Sequence, residues 1–397
     1  MQIQHRSHKK WLTIAIVSIL AIIAVFATWY LWPKPTVSDS KVSVVEPKVE
    51  EKPAVQTLKF AAMGDMLAHD SVVIQARTSS GYDFTKYFEK IKPLYAGSDV
   101  VFCNPETLSS GPAFGLSGYP SFNAPTEFAR DLRAVGCEVI NLASNHVGDK
   151  GQAALNATLD VWDKLEPLAL TGANRNAAEQ NKVSYFTKNG IKVAFVAFAD
   201  FSNSAVTSYG LNIYHDKDLV TRLLTEARKN ADLVLVSAHW GVEDALEISN
   251  DQATAAKLFS DLGADIIIGT GPHVLQKVSK IKRADGGETL VWYSIGNMLS
   301  TQLKTNELTG GVAGWTVERS ADGKISFRDL TFKATFMSYE WTPTDKAAGK
   351  LTKRNTLKLQ PLQDAANETK LFDSTLSDRT AFVHKAIGDE VEVTITP

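Results

Sequence analysis

Apolar and polar positions along the chain follow two periods. The run LKFAAMGDM (58–66) is nearly continuous in apolar residues and predicts a buried strand. A helical stretch follows, with Phe84, Phe88, Ile91 and Leu94 spaced for one face. DVVFCN (99–104) is the next strand. Beyond a Gly- and Pro-rich loop (109–125), a helix opens near Thr126 and closes at Gly136, with Phe128, Leu132 and Val135 on one side. CEVINLAS (137–144) predicts another strand, leading through a loop to a helix at about 151–165. Further strands are expected at 191–199, 232–239, 265–269 and 289–295, with helices at about 217–229 and 251–262 between them. Strands joined by helices in this way predict an α/β domain with parallel pairing. From about residue 310 the pattern turns to antiparallel strands joined at Asp322-Gly323. Residues 342–370 are polar with weak helical promise, and EVEVTI near the end predicts a short strand.

The N-terminus has a different pattern. Arg6, Lys9 and Lys10 precede a stretch, Trp11 to Trp32, of 22 residues without a charge. At 1.5 Å per residue it spans roughly 30 Å of hydrocarbon, with Trp11, Trp29, Tyr30 and Trp32 at the interfaces. The segment is longer than a cleaved signal's apolar region and ends in bulky aromatics, so it predicts an uncleaved signal anchor. The flanking positive charge predicts that the following chain lies outside the cell, and a bare anchor suits a cell with one membrane. Residues 33–56 carry Pro, Lys and acidic residues with no aromatic, and predict a flexible tether.

Composition narrows the function. The chain has 397 residues, 44% of them hydrophobic and 22% charged, which excludes a disordered chain. Residues 1–32 carry +3 of a formal net charge of -2, leaving -5 on the remainder. No basic excess points to nucleic acid, and none is expected as a partner. Cys103 ends one predicted strand and Cys137 begins another, so the two are expected at opposite ends of their strands and unbridged. Phosphate-loop, dinucleotide-binding and GxSxG nucleophile patterns are missing from the sequence.

Chemistry-bearing residues collect where predicted strands end. Asp65 follows Gly64, Glu106 follows Asn104-Pro105, and Asn145 and His146 follow Ser144. His239 opens HWGVE with Glu243 at its end, and His273 closes Gly269-Thr270-Gly271-Pro272-His273. The carboxyl ends of parallel strands are where such folds place ligand sites. Carboxylate oxygens, an amide carbonyl and imidazoles together suit one or two divalent ions of the Mn, Zn or Fe kind. Each residue alone has an ordinary reading, as a turn cap, a surface carboxylate or a satisfied buried histidine. Five strand ends together predict a site. His69, within a turn of Asp65, is a further candidate, as is Glu243. His5, His8, His215 and His384 have no supporting neighbours in the sequence.

The ordered blocks AAMGDM (61–66), NPE (104–106), INLASNHVGDKG (140–151), HWGVE (239–243), GTGPHVLQ (269–276) and YSIGN (293–297) closely resemble the CapA/PgsA family of bacterial capsule and poly-γ-glutamate biosynthesis proteins. The resemblance covers about 58–300. It implies a four-layer α/β/β/α metallophosphoesterase-like sandwich behind a transmembrane helix and tether, with the 289–330 strands in its second sheet. The organisation so implied is an anchor (1–32), a tether (33–56), the domain (57–340) and a C-terminal extension (341–397).

Carried over by residue, the resemblance implies Asp65, Glu106, Asn145, His239 and His273 as metal ligands, Glu106 bridging, and His146 as the catalytic histidine. Leu67 and Gly271 stand where phosphoesterases and this family, respectively, have a histidine. The implied protein takes part in capsule or poly-γ-glutamate production. Its site would hydrolyse a phosphoester or a γ-glutamyl amide, water being acidified by the metal and His146 steadying charge or protonating the leaving group. The alternative is a non-enzymatic polymer-binding or export subunit. The implied partners are the membrane, synthase subunits and an anionic polymer.

Overall fold

The structure, a computed structural model, describes residues 55–396. The strands of the first half are β1 (Val55–Met66), β2 (Val100–Pro105), β3 (Val139–Asn141), β4 (Ala169–Thr171), β5 (Ser184–Lys188), β6 (Ile191–Ala199) and β7 (Leu233–His239). Those of the second are β8 (Ile266–Thr270), β9 (Val278–Lys282), β10 (Glu288–Trp292), β11 (Asn297–Leu299), β12 (Thr309–Ser320), β13 (Ile325–Glu340), β14 (Asn355–Pro361) and β15 (Thr394–Thr396). They form a nine-stranded sheet in the order β14-β13-β12-β1-β2-β3-β4, with β11 added to β1 and β15 to β13, and a six-stranded sheet in the order β5-β6-β7-β8-β10-β9. β1 to β4 are parallel, as are β6, β7, β8 and β10.

The apolar runs explain the layers. In β7 every residue of LVLVSAH is buried. Leu233 and Leu235 join the core that both sheets share, while Val234, Val236 and Ala238 pack outward against helices. A strand covered on both faces reads as a continuous apolar run, because its two-residue period has no solvent side to mark. The outer cover consists of α1 (Lys217–Asn230), contributing Leu219, Leu223 and Leu224, and α2 (Asn250–Asp261), contributing Ala256 and Phe259. Ser249 and Gln252 close a capping box at the start of α2. Between the sheets Phe102 of β2 meets Phe195 of β6 edge to face at 6.1 Å, and Trp292 of β10 lies 6.1 Å from Trp315 of β12. The hairpin of β12 and β13 turns between Ser320 and Lys324, where the Asp322-Gly323 signal lies, and it pairs with β1 rather than joining the six-stranded sheet. Residues 355–361, read as weakly helical, form β14 on the edge of the nine-stranded sheet.

Two expectations are corrected here. Among the described residues no helix is long and apolar enough to cross a membrane. The longest of them, Gly151–Leu165, has 15 residues, shorter than the roughly 20 a bilayer core requires. The anchor placed at 11–32 and the tether up to residue 54 lie outside the described residues. Over the described residues the fold class is therefore an α/β sandwich with no membrane-crossing helix, and a membrane-anchored, single-pass, extracellular protein is not what those residues support. The membrane, and the synthase subunits and polymer inferred with it, lose that support as partners.

The second correction concerns the cysteines. Cys103 and Cys137 form a disulfide with their Cα atoms 5.6 Å apart. β3 begins only at Val139, so Cys137 stands outside the ladder, its N–H still tied to the Leu132 carbonyl at the end of the preceding helix. The argument from opposite strand ends does not apply to a residue that is not yet in the strand.

The bridge closes a loop of sequence separation 34. Loop-closure entropy predicts that reduction, or a Cys103→Ser/Cys137→Ser double variant, lowers unfolding stability by about 4 kcal/mol. Urea denaturation with and without reductant measures this, and an unmoved midpoint would show the bridge to be energetically idle.

Candidate metal centre

β1 delivers Asp65, fully buried, next to its last residue. Its approach depends on Gly64, where a Cβ would lie 1.8 Å from the Gly296 carbonyl oxygen, the atom that accepts the Asp65 N–H at 3.0 Å. The Asp65 carboxylate is held by several donors. Asn104 Nδ2 donates to Oδ1 at 2.7 Å, the Gly271 N–H donates to Oδ2 at 3.1 Å, and His273 Nδ1 lies 3.0 Å from Oδ2. Asn104 is itself oriented by Asn141 Nδ2, which donates to its Oδ1 at 2.8 Å.

Glu106 follows the end of β2 and is fully buried. Neither carboxylate oxygen has a hydrogen-bond partner. His239 Nε2 approaches Oε1 at 3.4 Å without the alignment of a hydrogen bond, and His273 Nε2 stands at 3.8 Å. Burial opposes the charge on Glu106, but the His239 and His273 imidazoles outweigh it and hold the carboxyl down at about 2. The reciprocal effect raises both imidazoles. Burial works against their protonation, and the Glu106 carboxylate overcomes it, lifting His273 to about 10 with help from Asp65.

His239 is the last residue of β7. Its Nδ1 lies 3.0 Å from Thr270 Oγ1 and its Nε2 3.1 Å from Asn145 Oδ1, so Asn145 adjoins the cluster from the loop after β3. Asp65, Glu106 and His239 offer ligand atoms within 4.8 Å of one another, all three buried, and the group is a candidate divalent-metal site. The orphaned Glu106 oxygens test the fit. A buried carboxylate without donors is costly, and a cation held by these residues would satisfy it. The donor set, oxygens with imidazole, suits a borderline divalent ion.

The other expected residues occupy the surroundings. His146 is buried, and its Nδ1 is 2.7 Å from Asp149 Oδ2, which turns Nε2 away from that carboxylate. Phe122 packs edge-on against the His146 ring at 4.6 Å. His69 is buried but outside the ligand group. Its Nδ1 accepts the Thr301 N–H at 3.4 Å, and burial, with Arg354 and His273 nearby, pushes its pKa down to about 3. Glu243 is exposed at the lip of a cavity of about 310 Å³ that His69, His146 and His273 also line. Sequence reasoning missed Asp149 and Asn297, whose Oδ1 lies 3.1 Å from His273 Nδ1. Both fall inside the motif blocks, and the spacing of Asp149 three residues after His146 is the signal that was there to find it.

A second candidate metal cluster joins Asp200, His215 and Asp251. His215 Nε2 is 2.6 Å from Asp200 Oδ1, a pairing of residues 15 apart that no motif connects. His215 and Asp251 are exposed, unlike the members of the first group.

An α/β sandwich with a buried Asp–Glu–His cluster at its strand ends is consistent with the metallophosphoesterase class. The chain belongs to the bacterial capsule synthesis protein family PGA_cap, which it matches over residues 59–302. It is 27% identical over 287 residues to the PGA biosynthesis protein CapA of Bacillus subtilis, covering 69% of this chain and 73% of that one. It is 30% identical over 226 residues to the capsule biosynthesis protein CapA of Bacillus anthracis, 54% of each. Among solved structures it resembles the NAD nucleotidase of Haemophilus influenzae, at 13% identity over 85% of this chain and 58% of that one, with a TM-score of 0.45. It also resembles a 5'-nucleotidase from Candida albicans, at 12% identity over 70% and 51%, with a TM-score of 0.37. Both structural overlaps are too loose to argue from.

Gly271 has φ +105, and a Cβ there would lie 2.9 Å from the Trp240 carbonyl oxygen and 3.3 Å from His239 Nε2. Gly271→Ala is expected to lower unfolding stability by about 1–3 kcal/mol. Urea denaturation checks this, and an unchanged midpoint would show that this backbone relaxes freely.

Proposed function

We propose that this protein is a metal-dependent hydrolase, and the observation that carries the reading is Glu106, buried, charged and without a hydrogen-bond donor. Asp65, Glu106 and His239 would hold the ion, with Asn145 and His273 beside them. When bound, a divalent ion supplies Lewis acidity that acidifies water and polarises an oxygen of the substrate.

The chain's own residues do the rest. Asp149 fixes the His146 tautomer by accepting the Nδ1–H hydrogen bond, so that the bare Nε2 would take a proton from water and pass it to a leaving group at the cavity. Phe122 shields that ring from water on one side. Asn104 and the Gly271 N–H keep Asp65 in a single orientation. The bond cleaved is a phosphoester, which suits the class, or an amide within a capsule polymer, which the names of the relatives suggest.

The test pairs metal content with turnover. Glu106→Gln should lose the ion by elemental analysis and lose turnover of bis(p-nitrophenyl) phosphate and γ-glutamyl-p-nitroanilide together. His146→Asn should retain the ion and lose about 10²–10⁴-fold in kcat. Wild-type protein with no metal above background, or turnover of both substrates equal to that of Glu106→Gln, would sink the hydrolase reading and leave a binding module.

A further inference from the structure

The cavity beside the cluster contains a cation that the hydrolytic scheme does not use. Arg354 lies beyond the family match at 59–302, in the turn that leads into β14. Its side chain lines the same cavity as His69, His146 and His273, yet the residue is only 4% exposed. Its position is held through the backbone. Gln75 Nε2 donates to the Arg354 carbonyl oxygen at 3.0 Å, and Gln75 Oε1 accepts the Leu357 N–H at 3.0 Å.

The guanidinium has five N–H donors. Nε donates to the Leu351 carbonyl oxygen at 2.8 Å, and among the described residues the remaining donors have no hydrogen-bond partner and no carboxylate within ion-pair distance, the Asp70 carboxylate favouring the charge from further away while burial opposes it. The Tyr339 and Trp341 rings lie 5.6 and 5.9 Å from the guanidinium carbon, which offsets part of the desolvation but uses none of those hydrogens. A buried charge is ordinarily paired, because burial removes water that would otherwise solvate it. Other charges on the wall do not pair with it. The Lys304 ammonium is bound to Asp244, Glu307 accepts the Lys304 N–H at 2.7 Å, and Glu243 is at the exposed lip. His69 is neutral at neutral pH, and with Nδ1 accepting from Thr301 its proton lies on Nε2, a second donor on the wall.

We propose that Arg354 makes this cavity an anion subsite beside the Asp65–Glu106–His239 cluster, taking a carboxylate or phosphate oxyanion of the substrate in its planar fork. The cavity, about 310 Å³, has the volume of a small-ligand site. The subsite deepens the hydrolase reading, since it gives the substrate an anionic group next to the bond cleaved, and it rests on that reading for the term substrate alone. The C-terminal segment thereby contributes recognition to a site whose ligand residues all lie within the family-matched part.

The experiment measures binding to the full chain stripped of metal by chelation. Inorganic phosphate and γ-glutamylglutamate are titrated calorimetrically into wild type, Arg354→Gln and Arg354→Lys, with thermal unfolding of each. At least one probe should bind wild type, phosphate alone marking a phosphoryl group and the dipeptide alone a carboxylate. Arg354→Gln should weaken that binding about tenfold to a hundredfold. Its Tm should stay level or rise, because an unpaired buried charge has been removed. Arg354→Lys keeps the charge without the fork and should lose several-fold. Neither probe binding wild type, or Arg354→Gln binding as wild type, would overturn the subsite. If Arg354→Gln does not fold, unchanged affinity in Arg354→Lys overturns it. Because the readout is binding without metal, absent turnover would sink the hydrolase reading and leave this one standing.

Discussion

A carboxylate buried without a hydrogen-bond donor is the constraint around which this fold is arranged. Glu106 has zero exposure, and both its oxygens lack partners, while two imidazoles from other strands stand 3.4 and 3.8 Å away. An isolated charge in such a place costs several kcal/mol, so it persists only where opposite charge is held close. That charge comes from the other sheet. Asp65, Glu106 and Asn145 are carried by the nine-stranded sheet, and His239 and His273 by the ends of the six-stranded one. The site therefore lies across the seam between the sheets, and the shared core that sets their spacing also sets the ligand distances. Phe102 against Phe195, and Trp292 against Trp315, are contacts across that seam.

The charges in the cluster also balance one another within the protein. Two carboxylates face two imidazoles whose protonation they favour. Glu106, with help from Asp65, thus favours positive charge at the same place where a cation would be held. Asn145 and Thr270 contact His239 in neutral form or charged, and they orient the ring without adding charge of their own.

Much of this was legible in the sequence for reasons that residues make plain. β6, β7 and β8 are covered on both faces, so their apolar runs announced them, and the polar residues that end them stood out against those runs. β4 and β11 have three residues each, too few to show a period, and β5 and β9 lie at sheet edges with mixed burial. β14 reads NTLKLQP and was hidden by its polar positions, although Leu359 is buried. The candidate ligands stood out because each lies at or just beyond the end of its own strand. Arg354 and the Asp200–His215 pair were not, because their meaning lies in contacts between segments distant in sequence. Cys137 misled for a smaller reason, a strand that starts two residues later than its apolar pattern suggested.

Gly271 shows how a missing side chain can be a positive feature of a site. A histidine there would be an extra ligand, as the family pattern has it. This backbone has φ +105 and no room for a Cβ beside Trp240, so no single substitution restores that imidazole in the present conformation. The close approach that excludes a side chain brings the Gly271 N–H to 3.1 Å from Asp65 Oδ2, where it donates to the carboxylate opposite Asn104. The position thus contributes a backbone donor to a candidate ligand and no side chain of its own. That makes the centre asymmetric. Ligand atoms are dense around Asp65, Glu106 and His239, and the side where the extra imidazole would stand is occupied by the main chain. The candidate ligand set is therefore lopsided, with Asp65 fixed by an amide and a backbone donor on the side where an imidazole would otherwise stand.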